Sequence, residues 1–258
     1  MPDSPVLIER HGPVAVVTLN LPAERNVLSG VVVTALNQAY DEVEQDGDAR
    51  CVVLTGAGSA FCAGAHLSTL EHAAGGDFES VRGVYDGFLR VLSSPLPTIG
   101  AINGPAVGAG FNLALACDVR LASVRARFDT RFAALHLHPG GGHTWLLARA
   151  VGSQQAFLGC LFGQVWSAQD ALDRGLVAGI HAESELLPAA IELGSRLAGQ
   201  SGEYVRRLTA SLREASGGAT HAEMLEREAA AQEWSLGQPE FLAGVQRIRA
   251  KIAGAGDP

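Results

Sequence analysis

Short apolar runs rich in β-branched residues alternate with amphipathic stretches in the first half of the chain. The runs predict four buried strands, at 14–19, 51–55, 98–102 and 119–122. Helical patterns at about 29–44 and 78–92 separate the first three runs, and a short buried helix ends near Asp118. This alternation favours α/β architecture with parallel strands joined by helical crossovers.

From about residue 145 the pattern becomes mainly helical. It predicts helices at 145–161, 167–174, 185–198, 203–215, 221–235 and 239–252. We therefore expect the sheet to lie in the first half of the chain. Since no Pro- or Ser-rich linker and no internal repeat divides the sequence, we predict a core domain at 1–190 and a helical C-terminal region at 191–258.

Composition and charge exclude several classes of function. The chain has 258 residues, of which 47% are hydrophobic and 18% charged, which suits a compact domain with a sizeable core. Its formal net charge is −8 and its cations are not clustered, which argues against a nucleic-acid partner. Polar residues and glycines interrupt the most apolar window, 95–117, so we expect no membrane span. With no signal-peptide pattern in residues 1–11, we expect a cytoplasmic protein.

Two glycine-rich segments follow predicted strands, GAGSAFCAGAHL at 56–67 and INGPAVGAGFNLALACD at 102–118. Each places small residues where a strand gives way to a helix, which leaves backbone N–H groups available to an anion. A dinucleotide fingerprint is not met, because Phe61 stands where the third glycine is needed. The Lys of a Walker phosphate loop is also absent.

The histidines of HLHPGGGH, at 136–143, raise the question of a metal site. Residues at i and i+2 share a face on a strand but not on a helix, and this segment is predicted to begin in a helix. The proline also redirects the chain before the third histidine. We therefore predict no metal site here.

Five motifs occur in order along the chain. They are ERNVL at 24–28, AFCAGAHL at 60–67, INGPAVGAGFNLALACDVRLAS at 102–123, HPGGG at 138–142 and WSAQDALDRGLVAGI at 166–180. Together they resemble the crotonase (enoyl-CoA hydratase/isomerase) family, whose members act on acyl-CoA thioesters. The resemblance implies a spiral of ββα repeats, with a helical C-terminal region for trimerisation and pocket closure. It also implies a homotrimer or homohexamer.

The resemblance further implies an oxyanion hole formed by two backbone N–H groups, those of Ala65 and Ala109. Such fixed donors stabilise the charge that grows on a thioester oxygen as an enolate forms. Coenzyme A enters as part of the substrate, and no separate cofactor is expected. By the same resemblance, the residues that bind it are Arg25, Ala63, Ala65, His66, Leu67 and Ser68.

The sequence departs from the family at its two usual catalytic glutamates. The position of the first is Asn112, in GAGFN, and the position of the second is Phe132. An amide can orient water but cannot accept a proton at neutral pH. The departure therefore argues against standard hydration of an enoyl-CoA.

Histidines near the PGGG turn are candidates to carry protons instead. They are His136, His138 and His143, of which we prefer His138 because the turn after it lines the acyl pocket in this family. Asp129 is the nearest carboxylate and could orient a histidine.

The predicted catalytic set is thus Ala65, Ala109, Asn112, His138 and Asp129. We expect an acyl-CoA enzyme that stabilises a thioester enolate. Isomerisation, decarboxylation and hydrolysis with a histidine as acid or base all remain open. So does a protein that binds acyl-CoA without catalysis, because both glutamates are replaced.

Overall fold

The computed structural model describes residues 4–254, which fall into two compact units that divide between Gly202 and Glu203. The described residues form strands β1 Val6–His11, β2 Val14–Leu19, β3 Cys51–Gly56, β4 Thr98–Ile102, β5 Pro105–Val107, β6 Val119–Ser123, β7 Arg127–Asp129, β8 Trp166–Ser167 and β9 Gly179–His181. Their helices are α1 Gly30–Gln45, α2 Leu67–Ala74, α3 Glu79–Leu92, α4 Ala109–Ala116, α5 His143–Val151, α6 Ser153–Cys160, α7 Ala168–Asp173, α8 Glu183–Ser195, α9 Gly202–Gly217, α10 His221–Leu236 and α11 Pro239–Gly254.

The larger sheet has the strand order β1-β2-β3-β4-β6-β9. β1 pairs antiparallel with β2, whereas every other neighbouring pair is parallel. All six residues of β3 are buried, as expected for a strand covered on both faces of a parallel sheet. The four strands predicted from apolar runs are confirmed as β2, β3, β4 and β6.

Two layers of apolar contacts cover this sheet, because successive side chains of a strand point to opposite faces. On one face Val14 and Val16 of β2 pack in a cluster with Leu186 and Ala190 of α8. On the other face Val17 joins a larger cluster. Its largest fully buried side chains are Tyr40, Phe61, Phe88, Phe111, Phe128 and Trp166.

A second sheet of three short strands, β5-β7-β8, positions the glycine segments. β5 pairs parallel with β7, and β7 pairs antiparallel with β8. An isolated parallel bridge joins Cys62 to Ala106 of β5. The two glycine-rich segments are therefore held side by side by main-chain hydrogen bonds.

Two predictions about the second half of the chain were wrong. The strands β8 and β9 show that the sheets extend beyond the first half of the chain. The helix predicted at 145–161 is two helices, because Gly152 has a φ of 81° that no helix accommodates. α5 accordingly ends at Val151 and α6 begins at Ser153.

The predicted helices at 203–215, 221–235 and 239–252 are confirmed as α9, α10 and α11, which form the second unit. The predicted domain boundary at 190–191 falls within α8, and the first compact unit extends to Gly202. Across residues 4–254, no helix combines the length and hydropathy that a bilayer crossing needs.

Candidate active site

A cavity of about 510 Å³ lies between α2, α3, the start of α4 and the segment that precedes α5. This volume is within the range of small-molecule sites. Its walls are mostly apolar, and the polar side chains among its lining residues are Tyr85, Asn112, Thr130, Arg131 and His138. No Asp or Glu within residues 4–254 lines it.

The backbones of Ala65 and Ala109 meet at this cavity. Ala109 is the first residue of α4, so its N–H has no acceptor within the helix. Neither N–H donates a hydrogen bond to any group in the described residues 4–254. Both are therefore available to an oxygen atom of a bound molecule.

Close backbone contacts fix these two amides relative to each other. Val107 N donates to Cys62 O at 3.0 Å. Gly64 has a φ of 97°, and a Cβ there would lie 2.6 Å from Val107 O. A Cβ at Gly110, the second residue of α4, would clash with the Cys62 carbonyl. Both positions therefore require glycine, and main-chain packing sets the separation of the two donors.

Asn112 reaches the cavity from the first turn of α4 and is 2% exposed. Its Nδ2 donates to Gly140 O at 3.1 Å, and its Oδ1 lies 2.5 Å from His143 Nδ1. The pairing joins α4 to the first residue of α5 across the glycine turn. The sequence offered Asn112 and His143 as separate candidates and did not indicate this contact, because the two residues are 31 positions apart.

The His143 ring is fully buried between two phenylalanines. The rings of Phe111 and Phe132 meet it edge-on, with centroids at 5.4 and 5.1 Å. Its Nε2 atom is buried and has no hydrogen-bond partner within residues 4–254. Because charging the ring in this surrounding would leave a buried cation without a partner, burial lowers the pKa of His143 to about 4.

This pKa predicts an acid-sensitive contribution to stability. The unfolded chain, with a His143 pKa near 6.5, takes up a proton before the folded chain does as the pH falls. The contribution is therefore present above pH 6.5 and is lost as the pH falls towards 4. In urea unfolding, the wild type should lose about 2 kcal/mol more stability between pH 7 and pH 4.5 than His143→Asn, which does not titrate. Equal losses would contradict the prediction.

His138 lies at the cavity and is exposed. Its Nδ1 is 2.8 Å from Pro139 O, which can only accept, so Nδ1 donates this hydrogen bond and the neutral ring has its acceptor at Nε2. Among the lining side chains of the described chain, this is the single imidazole, the group that most often serves as an acid or base in enzymes. His136 is exposed and does not line the cavity.

Asp129 does not orient a histidine in this structure. Its Oδ1 accepts from Arg131 N at 2.7 Å, and its Oδ2 accepts from Arg131 Nε at 2.9 Å. Asp129 itself is outside the cavity lining, whereas Arg131 is part of it. The carboxylate therefore fixes a cation at the cavity edge, and the expected pairing with a histidine is not observed.

The residues expected to bind coenzyme A divide into two groups. Ala63, Ala65 and Leu67 line the cavity. The other three residues, His66, Arg25 and Ser68, lie outside its lining. Nε2 of His66 is 3.3 Å from Oε2 of Glu24, and the side chains of Arg25 and Ser68 are exposed. Ala63 N donates to the backbone oxygen of Arg25 at 3.0 Å, which keeps the two segments adjacent.

Helices α2 and α3 supply an apolar wall of the cavity, which includes Leu67, one of the residues expected to bind coenzyme A. Its members are Leu67, Leu70, Ala73, Ala74, Val81, Val84 and Tyr85. The Tyr85 hydroxyl lies against Gly140, where a Cβ would clash with it. The helical period of 79–92 could have indicated which face of α3 is buried, but not that this face meets the glycine turn.

Comparisons with known proteins agree with this architecture. Residues 9–250 match the family model described as enoyl-CoA hydratase/isomerase. Over 245 residues the chain is 44% identical to the "Probable enoyl-CoA hydratase EchA14" of Mycobacterium tuberculosis H37Rv, covering 93% of this chain and 95% of that protein. Over 192 residues it is 36% identical to the 1,2-epoxyphenylacetyl-CoA isomerase of Escherichia coli K12, covering 72% and 73%.

The structural similarity is equally extensive. A crystal structure of enoyl-CoA hydratase from Bacillus anthracis superposes with a TM-score of 0.88 at 31% identity, covering 96% of each chain. The predicted crotonase-like α/β fold is thereby confirmed, and the structure shows it with two sheets and C-terminal helices. With its fold, its cavity and a family match over most of its length, this chain belongs to the enoyl-CoA hydratase/isomerase (crotonase) family of acyl-CoA enzymes.

Proposed function

We propose that this protein binds an acyl-CoA thioester in the cavity and stabilises its enolate between the N–H groups of Ala65 and Ala109. The observation that carries the proposal is the pair of unpartnered backbone donors at an apolar cavity. Donors held rigidly in a site with few polar groups stabilise a developing oxyanion without reorganising. A thioester oxygen that gains charge as the α-proton leaves is the group that such a pair accommodates.

Proton transfer in this proposal passes through His138. Its Nε2 takes a proton from carbon, the enolate forms with its oxygen between the two amides, and the same imidazolium returns the proton to another carbon. One acid–base group is sufficient for such an isomerisation, and no water needs to be activated. The name of the E. coli relative, an isomerase acting on a CoA thioester, supports this class of reaction.

Two replacements argue against hydration by paired carboxylates. Asn112 is held between Gly140 O and His143, and Phe132 packs on the His143 ring. With no Asp or Glu among the described lining residues, the cavity has no carboxylate to deprotonate water. The same replacements favour a second candidate function, an acyl-CoA-binding protein without catalysis.

The proposed function also includes a binding position for coenzyme A and an oligomeric state. We place coenzyme A along residues 63–68, with Arg25 as a cation for its phosphates, since guanidinium groups suit phosphate recognition. The assembly is a homotrimer or homohexamer, and the protein acts in the cytoplasm.

Two assays on purified protein test the proposed function. In D₂O the protein should exchange the α-hydrogens of butanoyl-CoA, as followed by mass spectrometry. It should leave the absorbance of trans-2-butenoyl-CoA unchanged, because water is not activated. Rapid loss of that absorbance would show that hydration is retained. Binding without exchange would favour the non-catalytic candidate.

A further inference from the structure

The contacts of Asn112 determine the orientation of its amide. Gly140 O is a carbonyl oxygen and can only accept, so the side-chain atom 3.1 Å from it is the Nδ2 donor. The opposite orientation would place two acceptors together. Asn112 Oδ1 therefore faces His143 Nδ1, at 2.5 Å.

That orientation in turn determines the state of His143. Because Asn112 Oδ1 is an acceptor, His143 Nδ1 must carry a hydrogen. The second nitrogen, Nε2, is buried beside Phe111 and Phe132 with no partner in the described chain, and a charged ring there would be uncompensated. The ring is thus neutral, with its single proton on Nδ1.

A buried imidazole with an unpartnered nitrogen is an unfavourable way to fill a core, since an apolar side chain would avoid the unsatisfied atom. What the imidazole provides is a hydrogen-bond donor to Asn112 Oδ1, which fixes the Asn112 amide. Of the two Nδ2 hydrogens of Asn112, one goes to Gly140 O, and the other has no acceptor within residues 4–254. Asn112 lines the cavity, and no group of residues 4–254 accepts this second hydrogen.

We propose that His143 is a positioning residue that holds the Asn112 amide as a hydrogen-bond donor for an oxygen atom of the bound acyl group. The inference rests on the proposed function in that the ligand is an acyl-CoA. It adds a preference for acyl groups with an oxygen acceptor beyond the thioester, such as a 3-oxo group. A donor at this place cannot deprotonate water, but it recognises oxygen.

The state of the ligand-free protein provides the first test, which does not depend on the proposed function. ¹⁵N-edited NMR of histidine-labelled protein at pH 6 should show His143 neutral with its proton on Nδ1, and His143→Asn should identify the signal by its loss. A proton on Nε2, or a ring that is charged at this pH, would overturn the inference.

Ligand binding provides the second test. Calorimetry should show that the wild type binds acetoacetyl-CoA more tightly than butanoyl-CoA, which lacks the 3-oxo oxygen. His143→Leu should reduce this preference about tenfold, the effect of losing one aligned hydrogen bond. His143→Asn should preserve it within about threefold, because its amide can still donate to Asn112 Oδ1.

Two further variants separate positioning from general damage. Leu147→Ala removes a fully buried side chain one turn further along α5, so it should destabilise the fold but keep the preference. In an Asn112→Leu background, His143→Leu should have no further effect on the preference. An equal loss in Leu147→Ala, or additive losses in the double variant, would overturn the positioning role. Failure of both thioesters to bind would contradict the proposed function, and the NMR measurement would still decide the state of His143.

Discussion

His138→Gln is expected to slow α-hydrogen exchange of butanoyl-CoA by about 10²–10⁴-fold, the usual contribution of a positioned acid–base group. His138 lines the cavity, and with Nδ1 engaged by Pro139 O its Nε2 is the ring nitrogen that we expect to accept the proton. Glutamine retains comparable size and polarity but cannot accept a proton at neutral pH. The affinity for butanoyl-CoA, measured by calorimetry, should change little, since the side chain is exposed and the apolar walls remain.

His136→Gln is the matched control for this variant. The two histidines are two residues apart and both exposed, but His136 is not part of the cavity lining. The control should exchange hydrogen at the wild-type rate. Equal rates in His138→Gln and the wild type would remove His138 from the mechanism.

Ala109→Pro is expected to reduce the same exchange rate by about 10²–10³-fold, as the loss of one oxyanion donor does. Proline removes the N–H, and the first position of a helix tolerates its ring and fixed φ. The preceding Gly108 has no Cβ to clash with that ring. The variant should also diminish the red shift in the absorbance of bound cinnamoyl-CoA, since that shift reports how strongly the thioester carbonyl is polarised.

His221→Pro controls for the introduction of proline at a helix start. His221 is exposed at the first position of α10, and its N-cap Thr220 already has the extended conformation that a following proline requires. This variant should keep the exchange rate and the red shift. A folded Ala109→Pro protein with an unchanged spectrum of bound cinnamoyl-CoA would show that Ala109 is not an oxyanion donor.

The strands that could be predicted were those with continuous apolar runs. β2, β3, β4 and β6 are central strands, and burial on both faces requires such runs. β1 is an edge strand with the sequence VLIERH, and β8 has two residues, so neither produces a long apolar run. The break between α5 and α6 was missed because the apolar period continues through Gly152, and only its backbone conformation shows the interruption.

The two glycine-rich segments could be recognised locally, because small residues at a strand-to-helix transition leave backbone amides free. That Ala65 and Ala109 are the donors followed from the resemblance to the family and stays a prediction. The partners of Asn112 and Asp129 could not be found in this way. They depend on tertiary packing, which brings His143 to Asn112 and leaves the Asp129 carboxylate with its near neighbour Arg131.

The close approach of Gly64 and Gly110 to the neighbouring backbone separates two tasks within one cavity. In the proposed function, main-chain packing fixes the two oxyanion donors, whereas side chains at positions such as 112 and 138 recognise oxygen or move protons. Side chains can therefore be exchanged without displacing the amides. For protein engineering, this makes the chain a scaffold in which new acid–base groups can be installed around two preformed backbone donors.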